Sequence, residues 1–171
     1  MSKGNPKKAV AAILPTPVGA VKPMTLAMYA ALERIESPLV TGAEPKDTAE
    51  LLPSLYLLTH GAQEIFRGNL VALAFEWADT VPVSAMAEIR EACQRQMRVV
   101  MDVMPEAQKK NAKGNDGWIA ATVHVIAKTY GWSFREILWE VPLSALMLLR
   151  RQENLANIMP LSIIEKMDNG Q

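Results

Sequence analysis

The chain has 171 residues, 50% hydrophobic and 21% charged, and its 18 basic and 18 acidic residues cancel. This is the composition of a globular protein, and the balanced charge gives no general attraction to nucleic acid or to an anionic membrane. No apolar run approaches the roughly 20 residues of a membrane span, so we expect no membrane segment. One cysteine excludes an intrachain disulfide and favours a reducing, cytoplasmic location.

The first 22 residues are broken by proline and glycine and are predicted to form an extended arm rather than a packed helix. Its middle, residues 9–14, is more apolar than a solvated tail. The arm therefore either lies across its own domain or docks on a neighbouring subunit or partner. Ile13 and Leu14 are its candidate contact residues.

Residues 23–160 are predicted to form a single all-α domain, a compact bundle of about six to seven helices, followed by a short tail at 161–171. Four helices are expected before residue 105: from Pro23 to about Ser37, from an Asp47 cap to Leu58, from about Ala62 to Asp79, and from a Ser84 cap to Met104. The first is expected to bury a stripe that includes Ile35, and the third a stripe that includes Phe66. A polar stretch at 105–117 is the best candidate for a mobile loop.

The fourth predicted helix is the most regular, with an apolar face that runs from Met86 to Met104. Methionine is adaptable and is common on promiscuous binding surfaces. Met101 and Met104 are therefore candidate partner contacts, although ordinary core packing explains the same pattern.

Three more helices with tight corners are predicted between residues 116 and 157. Gly131 suits a left-handed helix end, and Ser133 with Glu136 forms a capping-box pattern before the buried stripe expected of the next helix, which begins with Phe134. Pro142 should end that helix and begin the last one.

Trp139 falls off that stripe, on the side of Arg135. Either another helix of the same chain covers it, or it is an exposed anchor for a partner, since Trp and Arg are favoured at interface hot spots. Trp132, Arg135 and Trp139 are the candidate partner-binding residues of this region.

The same region has a helix-turn-helix spacing in Ala127, Gly131 and Ile137. Its recognition helix would be residues 134–141, where a single arginine stands among two glutamates and apolar residues. DNA binding relies on phosphate neutralisation by Lys and Arg. A small DNA-binding regulator is thus an alternative that the charge disfavours.

The sequence offers no catalytic constellation. His60 and His124 have no partner at metal-ligand spacing, and Cys93 lies within an apolar stripe. Nucleophile-elbow, phosphate-loop and dinucleotide motifs do not occur. We expect a protein without catalytic residues, metal or cofactor, and not an enzyme.

Several segments resemble the tail assembly chaperones of tailed bacteriophages and prophages, proteins encoded beside the tape-measure gene. The resemblance lies in PMTLAM at 23–28, LERIESPL at 32–39, LLPSLYLLTH at 51–60 and YGWSFREILWEVPL at 130–143. It implies a non-enzymatic helper in the bacterial cytoplasm that keeps the long, aggregation-prone tape-measure protein soluble during tail morphogenesis. A structural tail or connector component is a further alternative, and self-association stays open.

Overall fold

The computed structural model describes residues 14–16, 19–104 and 117–158. The described part is helical, as predicted. Its α-helices are Leu26–Arg34 (α1), Pro38–Thr41 (α2), Leu52–His60 (α3), Leu70–Ala78 (α4), Val83–Val103 (α5), Gly117–Tyr130 (α6) and Leu143–Ile158 (α7). Two 3₁₀ segments, Thr48–Leu51 and Ala62–Phe66, and one π-helical turn, Glu136–Glu140, connect them.

Helix α3 lies at the centre of the core. Every residue from Leu51 to Leu58 is buried, because this segment is apolar on nearly all sides and must be covered all round. Helices α1, α4 and α5 pack around it. Pro53 occupies the first turn and delays the regular helix until Leu52, as expected from its missing N–H.

The arm reaches the core as a short β-hairpin. Leu14–Thr16 (β1) pairs antiparallel with Gly19–Val21 (β2), and Leu14 is opposite Val21. Lys22 then donates its backbone N–H to the Leu58 carbonyl at 2.7 Å, and Val21 is buried. Extended backbone was predicted here, but its pairing as a hairpin was not.

Most local cap signals were read correctly, but the predicted Ser84 cap is wrong, because α5 begins at Val83 after an N-cap at Pro82 and has no side-chain cap hydrogen bond. The Asp47 side chain accepts from Glu50 N at 3.2 Å and begins the segment that leads into α3. Gly131 has φ +66, as a left-handed helix end requires. Ser133 and Glu136 form the reciprocal capping box, with bonds of 3.0 and 3.2 Å.

The predicted single helix over 62–79 is wrong. Gly68 has φ +140, which interrupts the helix, and the Asn69 side chain then caps α4 by accepting from Val71 N and Ala72 N. The break leaves Phe66 73% exposed rather than buried.

Two further residues assigned to buried stripes lie at the surface. Phe134 is 64% exposed and Ile35 is 39% exposed. Phe134 precedes the π-helical turn 136–140, and it stays outside the core although Ile137 of that turn is fully buried. Ile35 lies just beyond the end of α1, where the chain turns towards Pro38.

Candidate partner-binding groove

A cavity of about 590 Å³ opens where the end of α3, the start of α1 and the π-helical turn meet. We call it the aromatic groove. Its charged and aromatic lining residues are Lys22, His60, Phe66, Arg135, Trp139 and Glu140.

Two aromatic rings from distant parts of the chain form one wall of the groove. The centroids of Phe66 and Trp139 are 4.9 Å apart, with the rings inclined at 37°. Trp139 is half-buried and packs against the core, whereas Phe66 is largely exposed. Its own chain therefore covers one side of Trp139, while the other side faces the groove, and its role as a partner anchor stays a prediction.

Two basic side chains and one acidic side chain line the groove. The Lys22 ammonium donates to the His60 carbonyl, and Arg135 Nε lies 3.7 Å from Glu140 Oε1. The Arg135 and Glu140 side chains are 83% and 54% exposed, so this pair adds little to stability and leaves the guanidinium accessible.

A cluster of polar and aromatic side chains packs behind His60, one of the groove residues. Tyr56 stacks on His60 with centroids 4.4 Å apart, and Trp77 meets both rings edge-on. The Tyr56 hydroxyl donates to Glu64, which also pairs with Arg67 at 3.1 Å.

These contacts shift the pKa values of Glu64 and Tyr56. Burial acts to raise the pKa of Glu64, but the hydrogen bond from Tyr56 and the charge of Arg67 outweigh it and hold that pKa below its usual value. Burial and the Glu64 carboxylate raise the pKa of Tyr56. The cluster thus keeps Glu64 ionised beneath the groove.

The methionine candidates lie elsewhere. Met101 is half-buried and lines a second cavity, of about 460 Å³, between α5 and the loop after α2. Met104 is 4% exposed and belongs to the core, which leaves it no surface for a partner.

Trp132 is also apart from the groove. Trp132 packs against Tyr130, with centroids 5.6 Å apart, and does not line the aromatic groove. Leu14 lies in β1, and Ile13 lies outside the described residues. Among the candidate residues in the described part of the chain, only Arg135 and Trp139 come together in the aromatic groove.

Sequence reasoning missed Phe66 and Lys22 as groove residues. The Gly68-Asn69 pair was the available signal for Phe66, because a glycine followed by a capping residue is typical of a helix break. For Lys22 the sequence has no comparable signal, since its position depends on the hairpin packing against α3.

The described residues contain no group of three or more His, Cys, Asp or Glu side chains that could hold a metal ion. Cys93 is fully buried, and burial raises the pKa of its thiol to about 12, so it is a core residue. None of the described helices is long and apolar enough to span a membrane. Neither protein-family models nor curated proteins nor solved structures give a match to this chain.

Proposed function

We propose that this protein is a non-enzymatic assembly chaperone that holds a helical segment of a client protein in the aromatic groove. The observation that carries the proposal is the Phe66–Trp139 pair, in which a largely exposed ring packs on a half-buried one held against the core. Aromatic side chains in a preformed cleft are typical anchors for apolar residues of a partner.

The shape and charge of the groove support a helical client. An amphipathic helix presents an apolar stripe flanked by charged residues, and the groove offers an aromatic wall flanked by Lys22 and Arg135. The exposed guanidinium of Arg135 can pair with a client carboxylate beside the apolar contact.

We further propose that the client is the tape-measure protein of a tailed phage or prophage, in the bacterial cytoplasm. This rests on the sequence resemblance to tail assembly chaperones. A tape-measure protein is long and helical, so it exposes many apolar stripes that would aggregate if they were left uncovered.

The DNA-binding alternative has less support. Of the segment 134–141 assigned to a recognition helix, residues 136–140 form a π-helical turn, and Arg135 just before that turn lies beside Glu140. Such a short, partly acidic segment offers few contacts to phosphate.

Co-expression with the tape-measure protein encoded in the same genome tests the proposal. We expect the client to remain soluble and to co-purify with the chain. Phe66→Ala should weaken the complex by roughly 30-fold, the effect of losing a hot-spot side chain. Phe134→Ala is a matched control, since Phe134 is similarly exposed but does not line the groove.

A client that aggregates equally with and without the chain would overturn the chaperone proposal. Equal affinities of the Phe66→Ala and Phe134→Ala variants would place the binding surface elsewhere. Because Phe66 is 73% exposed, its replacement should leave the fold intact, which circular dichroism verifies.

A further inference from the structure

Helix α4 is too apolar for its degree of exposure. Its sequence is LVALAFEWA, with Glu76 as its one charged residue, yet only Ala74 is fully buried. Val71 is 41% and Phe75 46% exposed, and Ala72 is exposed between them. A helix that is apolar nearly all round normally has neighbours on every side.

The exposed residues of α4 form one continuous face. Val71, Phe75 and Asp79 succeed one another at intervals of four, and Ala72 and Glu76 form the adjacent row. We call this the α4 face. Its first half is apolar, and its end carries two carboxylates.

The charges at the two ends of the α4 face are opposite. Arg67 precedes the helix, pairs with Glu64 at 3.1 Å and keeps a side chain that is 66% exposed, and Glu76 and Asp79 lie at the other end. Within the described part of the chain, neither Glu76 nor Asp79 forms an ion pair. Carboxylates at a helix C-terminus also oppose the helix dipole, so a positive neighbour there would stabilise them.

We propose that the α4 face binds a second copy of this chain, with the two α4 helices antiparallel about a twofold axis. This arrangement places Phe75 and Val71 of one copy against the same residues of the other. It also brings the carboxylates of each helix beside Arg67 and the positive helix N-terminus of its partner. A twofold contact of this kind is self-complementary, as the symmetry requires.

The contact is small. Nine helical residues span about 14 Å, and the surface falls short of the roughly 800 Å² per partner of a standard interface. We therefore expect a concentration-dependent monomer–dimer equilibrium rather than a permanent dimer.

Sedimentation equilibrium over a range of protein concentrations tests the proposal. The unmodified chain should dimerise, and Phe75→Glu should weaken dimerisation at least about tenfold, since the charge enters the contact twice. Phe134→Glu introduces the same charge at an exposed phenylalanine away from α4 and should dimerise normally. Val71→Glu provides a second disruption if Phe75→Glu fails to fold.

Charge reversal tests the antiparallel arrangement. The double variant Glu76→Lys with Asp79→Lys should dimerise weakly, because its lysines face Arg67 of the partner. Adding Arg67→Glu should restore dimerisation. Circular dichroism confirms that each variant is folded.

A chain that stays monomeric at every concentration overturns the proposal, as does a dimer that tolerates both Phe75→Glu and Val71→Glu. Failure of Arg67→Glu to restore dimerisation overturns the antiparallel contact. The α4 face shares no lining residue with the aromatic groove, so client binding by the Phe75→Glu and Val71→Glu variants can be measured independently.

Discussion

The side-chain hydroxyl groups of Ser37 and Ser54 hydrogen-bond each other inside the core. Ser37 precedes α2 and Ser54 lies in the first turns of α3, and both are buried. A buried hydroxyl is tolerated only while it has a partner, because an unpaired one has lost its hydrogen bonds to water. The pair therefore fixes the chain before α2 to the central helix.

Ser54→Ala should lower the free energy of unfolding by about 1–3 kcal/mol, since it leaves the Ser37 hydroxyl buried without its partner. The double variant Ser37→Ala with Ser54→Ala should lose less than the sum of the two single variants. Urea unfolding of all four proteins measures this double-mutant cycle. Strictly additive losses would contradict the predicted coupling.

Gly61→Ala should destabilise the protein by about 2–3 kcal/mol. Gly61 has φ +110 and ψ 170, a region that is essentially restricted to glycine, and an added Cβ would lie 3.0 Å from Lys22 Nζ. Gly42→Ala is the matched control, because Gly42 has φ +72 with open space around it. It should cost only about 1 kcal/mol. Equal losses of unfolding free energy for the two variants would refute this account.

Ionised Glu64 should stabilise the fold at neutral pH. Its pKa is below the usual 4.5 in the folded state, so the stabilisation is complete above that value and is lost as the pH falls through the folded pKa. The unfolding free energies of the unmodified chain and of Glu64→Gln should therefore differ most at neutral pH and converge as the pH falls below 4.5. A difference that stays constant over this range would exclude the linkage.

Cys93 should react with a thiol reagent only when the protein opens. Its side chain is fully buried, and a thiol with a pKa of about 12 supplies almost no thiolate at neutral pH. Labelling with a maleimide should be slow in buffer and fast in denaturing urea. The labelling rate then reports the opening of the core around α5. Rapid labelling of the native protein would show that this part of the core is accessible.

The correct sequence predictions concern interactions between residues close in the chain. They include the Ser133–Glu136 capping box, the left-handed Gly131 and the buried stripe of α5 from Ile89 to Val100. In each of these features the interacting or repeating residues are only three or four positions apart. Such features depend on backbone geometry and side-chain chemistry that the sequence states directly.

The errors concern residues whose environment is set by distant segments. Phe66 and Phe134 fit apolar stripes by spacing, but the backbone changes conformation at Gly68 and in the π-helical turn. Met104 was a candidate contact on the same stripe as core residues, and spacing alone could not separate the two roles.

The sequence by itself determined a helical chain and most of its caps and helix ends, because these depend on hydrogen bonds and periodicity within a few residues. Only the tertiary structure placed α3 at the centre, brought Phe66 against Trp139 and left the α4 face exposed. Those contacts join segments far apart in the chain. They follow from how all the apolar surfaces are buried together, which no local stretch of sequence specifies.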